Sequence, residues 1–146
     1  MSDVAEALGR LRAGNGRFVA NQTIGRGLSI PAPGNDLVTG QEPFAIILGC
    51  SDSRVPAELI FDQGFGDLFV IRVAGNIVAP SQVGSVEFAA SRFGTRLVVV
   101  LGHSQCGAVG AALDELRGHA TTQSRNLRSS LNHSRKCPKW TTSPQA

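Results

Sequence analysis

The sequence predicts an α/β fold: a central, mainly parallel β-sheet flanked by helices, with a helical arm at the N-terminus. Three observations predict it. Short apolar runs occur at 44–48, 68–73 and 96–101, and a glycine closes each within two residues. Segments with apolar residues at helical spacing stand between and after these runs. The 17 glycines in 146 residues suit many tight strand-to-helix turns.

The length corresponds to about one domain. A composition of 42% hydrophobic and 17% charged residues excludes a disordered polyelectrolyte, a collagen and a coiled coil. The longest apolar stretches, 44–48 and 97–101, fall far short of the ~20 residues of a membrane span. The N-terminus is acidic and amphipathic with no apolar signal core, so a cytoplasmic location and no membrane partner are expected. Three cysteines favour metal binding or catalysis over a disulfide framework. The net charge of +3 is uneven: residues 121–146 carry +5 with no acidic residue, which leaves −2 on residues 1–120. A basic tail can bind nucleic acid, but this one has no aromatic interleaving beyond Trp140 and no recognisable module, so nucleic acid is not an expected partner.

Residues 3–15 read as the first helix. Asp3 and Glu6 form a capping box, Val4, Ala7, Leu8 and Leu11 share one face, and Phe18 and Val19 continue it. Residues 21–42 are rich in Asn, Gly, Pro and Ser and read as a loop or wrapping arm. The continuous apolar run 44–48, ending in Gly49-Cys50, suits a strand buried on both faces. A short helix over 55–61 follows, with Pro56 in its first turn. Gly64 and Gly66 bracket the turn into a second strand, 68–73. Residues 82–93 form a packed helix with apolar positions at Val83, Val86, Phe88, Ala89 and Ala90. The third strand is 96–101, and a helix over 107–116 is apolar at Ala108, Val109, Ala112 and Leu113. Such alternation gives right-handed β-α-β units.

Functional groups of an open parallel sheet gather beyond the carboxyl ends of its strands. Cys50, Asp52 and Arg54 follow the first strand, Asn76 the second, and His103 and Cys106 the third. His103-Ser-Gln-Cys106 has the spacing of a metal half-site on a turn, and Cys50 adds a third soft donor. Zinc favours thiolate and imidazole, and three protein ligands with one open position is the catalytic pattern. Taken singly, each of these residues reads as core packing or a satisfied polar group; their coincidence at adjacent strand ends favours the metal. Asp52 and Arg54 read either as a loop ion pair of ~0–1 kcal/mol or as a carboxylate oriented beside the metal by a bidentate arginine. Asp52 either accepts a hydrogen bond there or fills the fourth metal position. A cysteine phosphatase is disfavoured, since only three residues separate Cys50 from Arg54 where such a phosphate loop needs five, and it leaves His103 and Cys106 unexplained.

Gly49-Cys-Ser-Asp-Ser-Arg-Val-Pro56 and Val100-Leu-Gly-His-Ser-Gln-Cys-Gly107 resemble the two zinc signatures of the β-class carbonic anhydrases. Gly66-Asp-Leu-Phe-Val-Ile-Arg-Val-Ala-Gly-Asn76 is similar to that family's second strand, and Leu11-Arg-Ala-Gly-Asn-Gly-Arg-Phe18 to its opening helix. The resemblance covers residues 4–128. It implies one zinc per chain on Cys50, His103 and Cys106, a catalytic dyad of Asp52 and Arg54, and Asp52 as the fourth ligand of a closed state. It further implies that Gln41 binds substrate and that Phe69 lines an apolar pocket for CO₂. The reaction implied is the reversible hydration of CO₂ to bicarbonate in a homodimer or higher homo-oligomer, whose pocket draws residues from both subunits.

The end of the chain departs from that pattern, where further helices and an edge strand are expected. The sequence divides into a domain over 1–128, incomplete at its C-terminus, and an atypical basic tail over 129–146, unstructured from about Ser134. The sheet is then left with an uncovered edge. A rival reading follows: a zinc-binding remnant that cannot assemble a working pocket. Cys137, His119 and His133 match no role in the family pattern.

Overall fold

The computed structural model describes residues 3–24, 40–119 and 124–135. Most of the 21–42 loop and the tail beyond Arg135, with Cys137 and Trp140, lie outside the described residues. The sequence folds into helix α1 (Val4–Val19), strand β1 (Ala45–Cys50), a single turn α2 (Ala57–Ile60), β2 (Leu68–Val73), a 3-10 turn (Ala74–Asn76), α3 (Pro80–Phe93), β3 (Val98–Leu101), α4 (Gly107–Leu116) and α5 (Arg125–Arg135). The three strands are parallel in the order β2-β1-β3.

β1 is central, and every one of its residues is buried. Alternation of side chains across a strand sends Ala45 and Ile47 to one face and Ile46 and Leu48 to the other. The first pair packs with Leu11 of α1 and with Ala57, Ile60 and Phe61; the second packs with Ile71 and with Ala89 of α3. Ile46 and Ile47 are fully buried, roughly 1.5–3 kcal/mol of hydrophobic stabilisation each. β3 differs: Val98 and Val100 are 43% and 59% exposed, and among the described residues no strand lies on its outer side.

α1 docks where the α2 turn ends. A Cβ on Gly14 would overlap the Phe61 carbonyl, so only glycine permits this approach. Asn15 Nδ2 donates to the Ile60 carbonyl at 3.0 Å, and Arg17 pairs with the buried carboxylate of Asp62, which also accepts from the Ile24 N–H.

Several local expectations are corrected. α1 runs four residues further than 15, yet Phe18 and Val19 are exposed, because the core-facing stripe is Ala7, Leu11 and Gly14. Asp3 is the N-cap but makes no side-chain capping bond: its carbonyl takes the Ala7 N–H while its exposed carboxylate faces water. Pro56 caps α2 rather than entering its first turn. α3 starts two residues earlier, with Pro80 at its opening, and buries Ala89 while leaving Val83 and Phe88 largely exposed. α5 ends at Arg135, and the tail expected to be unstructured from about Ser134 lies, beyond that residue, outside the described residues.

Candidate metal centre

The chain leaves β1 toward β2 on one side, and β3 lies on the other, so the loops beyond the carboxyl ends of β1 and β3 face each other across the switch point of the sheet. Cys50 is the last residue of β1, in register with Val73. His103 lies in the loop after β3, and Cys106 is the N-cap of α4, at the positive end of that helix. The loops bring Cys50 Sγ, Cys106 Sγ and a His103 ring nitrogen within 4.8 Å of one another. The two sulfurs are 3.8 Å apart.

The surroundings of each donor fit a cation. His103 Nδ1 donates to the Ser104 carbonyl at 2.9 Å, which holds its proton and leaves Nε2 as the bare nitrogen. Nε2 is buried and has no hydrogen-bond partner. A buried polar atom without a partner costs about 1–3 kcal/mol, a cost that a bound cation would remove. The backbone N–H of Gly75 donates to Cys50 Sγ at 3.3 Å. Gly75 has φ of 75°, and a Cβ there would sit 3.2 Å from Ala108 Cβ, so glycine serves both the turn and the close packing. Burial raises the Cys50 pKa, but His103, the backbone N–H groups of Gly75 and Asp52, and Cys106 together outweigh it and lower it to about 7. The Cys50 sulfur in turn raises the pKa of His103, against the effect of burial, with Ser104 and Asp52 adding to the rise.

Asp52 and Arg54 form a fork. Arg54 Nε and Nη2 donate to Asp52 Oδ1 and Oδ2 at 2.9 and 2.8 Å, and the Arg54 N–H adds a third bond to Oδ1 at 3.0 Å. The Arg54 side chain, then its backbone N–H, hold the Asp52 carboxyl well below the usual carboxylate range, and Asp52 raises Arg54 in return. Arg54 Nη2 is also anchored at 3.1 Å on the carbonyl of Gln105, a residue in the left-handed region at φ 57°. Asp52 Oδ2 lies 3.9 Å from His103 Nε2, beside the three donors, with both of its oxygens held by Arg54.

Gln41 and Phe69 are not brought to this cluster within one chain. Gln41 precedes β1, and Cys50 is at the far end of that six-residue strand, about 17 Å further along. Gln41 lines a cavity of about 640 Å³ with Val4, Ala7, Arg10 and Phe93. Phe69 is the second residue of β2 and packs with Phe88 and Phe93, ring centres 6.2 and 6.0 Å away. His119 is exposed, and His133 Nδ1 bonds the Ser129 carbonyl in its own helix, so neither joins the site.

Four groups escaped the sequence reading: the Gly75 N–H, the Ser104 and Gln105 carbonyls, and Arg72, whose guanidinium bonds the carbonyls of Cys50 and Asp52. Backbone groups leave no residue-type signal. Arg72 did leave one, as the single charge in the apolar run 68–73.

A parallel α/β sheet with two cysteines and a histidine clustered at its switch point defines an α/β protein with a candidate metal site. Residues 45–144 match the carbonic anhydrase family. Carbonic anhydrase 2 of Mycobacterium tuberculosis is 50% identical over 103 residues, covering 70% of this chain and 49% of that protein. The structure is similar to a β-carbonic anhydrase of Aspergillus fumigatus (TM-score 0.61, 30% identity, 88% of this chain and 58% of that one). It is also similar to a tetrameric β-carbonic anhydrase of Sordaria macrospora (TM-score 0.59, 27% identity, 87% of this chain and 61% of that one). The chain belongs to the β-class carbonic anhydrases. It spans about half the length of the curated relatives it matches. No helix among the described residues is long and apolar enough to cross a membrane.

Proposed function

We propose that this chain catalyses the zinc-dependent, reversible hydration of carbon dioxide to bicarbonate and a proton, in the cytoplasm, as a homodimer or higher homo-oligomer. The observation that carries the reading is the convergence of two cysteine sulfurs and a hydrogen-bond-free His103 Nε2 within 4.8 Å, flanked by the Arg54-held carboxylate of Asp52. Two thiolates and an imidazole suit zinc, and three protein donors leave a fourth position for the reacting molecule. When bound by Cys50, His103 and Cys106, zinc supplies the Lewis acidity that brings the ionisation of water toward neutral pH. Two anionic thiolates weaken that effect relative to three imidazoles, so activity belongs at mildly alkaline pH.

Asp52 Oδ2 accepts a hydrogen bond from the attacking water and so aims its lone pair at the carbon of CO₂. Arg54 keeps Asp52 ionised and still. Were the Arg54 fork to open, the Asp52 carboxylate would be available as a fourth donor in place of the reacting water, which is the closed state. The Gln41 side chain holds a bicarbonate oxygen, and Phe69 lines the dry pocket for the apolar gas. Since both stand away from the cluster of their own chain, the reading assigns them to the cluster of a second copy.

Stopped-flow CO₂ hydration on the zinc-loaded protein, measured alongside its native mass, tests this. Hydration by a dimer or larger assembly is expected; a fully loaded dimer without hydration overturns it. The separation of Gln41 and Phe69 from the cluster also favours a second reading, a zinc-binding remnant without a working pocket. That reading expects a zinc-loaded monomer without turnover.

A further inference from the structure

Arg72 projects from the fifth position of β2, in register with Gly49 of β1. A side chain at Gly49 would meet nothing nearer than Leu101 Cβ at 4.0 Å, so this part of the sheet face is open for a long neighbouring side chain. Arg72 Nε donates to the Cys50 carbonyl at 3.0 Å, and its Nη2 donates to the Asp52 carbonyl at 2.6 Å. One guanidinium edge thus brackets the three residues that connect a metal donor to the dyad acid. The Asp52 carbonyl also accepts the Val55 N–H at 3.2 Å, so Arg72 reinforces the turn that follows. Asp52 is held at both ends: its carboxylate by Arg54, its main chain by Arg72.

We propose that Arg72 is a positioning residue that fixes the Asp52 loop relative to Cys50 and thereby aims the Asp52 carboxylate at the fourth metal position. Its catalytic consequence rests on the carbonic anhydrase reading; the positioning itself does not. Arg72 is exposed, yet its guanidinium turns back onto the loop and donates to two main-chain carbonyls, which solvation of its charge does not require. The fork geometry matters because a lysine ammonium reaches one carbonyl well but cannot match both with parallel N–H groups.

The test compares Arg72→Met and Arg72→Lys with the parent, all zinc-loaded. Amide exchange at Arg54 and Val55 is expected to speed up about tenfold or more in Arg72→Met and less in Arg72→Lys, with 46–48 unchanged. Hydration kcat/KM is expected to fall about 10- to 100-fold in Arg72→Met at full zinc content, with partial recovery in Arg72→Lys. In an Asp52→Ala background the Arg72→Met change is expected to cost almost nothing further, because Arg72 acts through Asp52. Unchanged exchange at Arg54 and Val55 overturns the positioning role whatever the activity. Faster exchange with undiminished hydration, or a full Arg72→Met penalty without Asp52, overturns its catalytic aim. A zinc-loaded parent without hydration instead overturns the carbonic anhydrase reading, and exchange alone then decides on Arg72. If Arg72→Met fails to fold, the same exchange and rate comparisons on Arg72→Lys decide.

Discussion

The two ends of the sheet are built differently. At the carboxyl end, one chain assembles three metal donors, a carboxylate and the arginine that holds it. At the amino end, Gln41 opens onto a broad cavity and Phe69 packs at a tilt against two other phenylalanines. The first brings together every donor of the candidate metal site within one chain. The second is half of something, since among the described residues its polar and apolar parts face none of the cluster's donors. The difference separates the metal donors, which a single chain brings together, from turnover, which we assign to two chains.

The largest expected effect breaks the carboxyl end alone. Cys50→Ala or Cys106→Ala removes one of three donors and is expected to lose nearly all bound zinc, measured as metal per chain; near-parental occupancy in either variant refutes the ligand set. Next, Asp52→Ala is expected to keep its zinc but lose about 100-fold or more in hydration rate, with Arg54→Ala losing less through a misplaced Asp52. Equal rates in both variants and an active parent reduce the fork to a loop ion pair. Zinc affinity should also fall as the pH drops through about 7, where the Cys50 thiolate takes up a proton that the metal must displace. Competitive titration with a chelator at pH 6 and 8 checks the sign.

Complementation then tests the division between the two ends. Gln41→Ala and Cys50→Ala chains are each expected to be inactive. If Gln41 serves a partner's cluster, mixed dimers contain one complete site, and an equal mixture regains about a quarter of parental activity. No recovery after subunit exchange places Gln41 outside the shared pocket.

The sheet and the cluster were legible in sequence for one reason: both rest on short-range signals. A fully buried strand must be apolar throughout, and residues 44–50 are. Cys50, His103 and Cys106 are side-chain donors at strand ends, which periodicity locates once the strands are known. What escaped were effects set by packing across distance. The capping box failed because an exposed carboxylate has water as an equal partner, which no spacing rule weighs. Phe18 and Phe88 continue apolar faces in sequence yet remain exposed, since the extent of a face is decided by what lies opposite. The Gly75, Ser104 and Gln105 contributions come from main-chain groups that every residue carries.

The smallest expected effect asks whether the two ends are also mechanically separate. α1 helps wall the amino-end cavity through Val4, Ala7 and Arg10, and it is fastened to the Phe61 turn through Gly14. Alanine at Gly14 forces α1 away from the Phe61 carbonyl and is expected to cost about 1–3 kcal/mol, read as a fall of several degrees in Tm. Gly16, two residues on, is exposed with open space where a Cβ would go, so Gly16→Ala should stabilise by up to about 1 kcal/mol through helix propensity. Neither change touches Cys50, His103 or Cys106, so both variants should hold zinc at the parental stoichiometry. Loss of zinc in Gly14→Ala at a temperature where it remains folded means that α1 docking reaches the metal loops through the β1 core. The carboxyl end would then depend on the amino end even in a single chain.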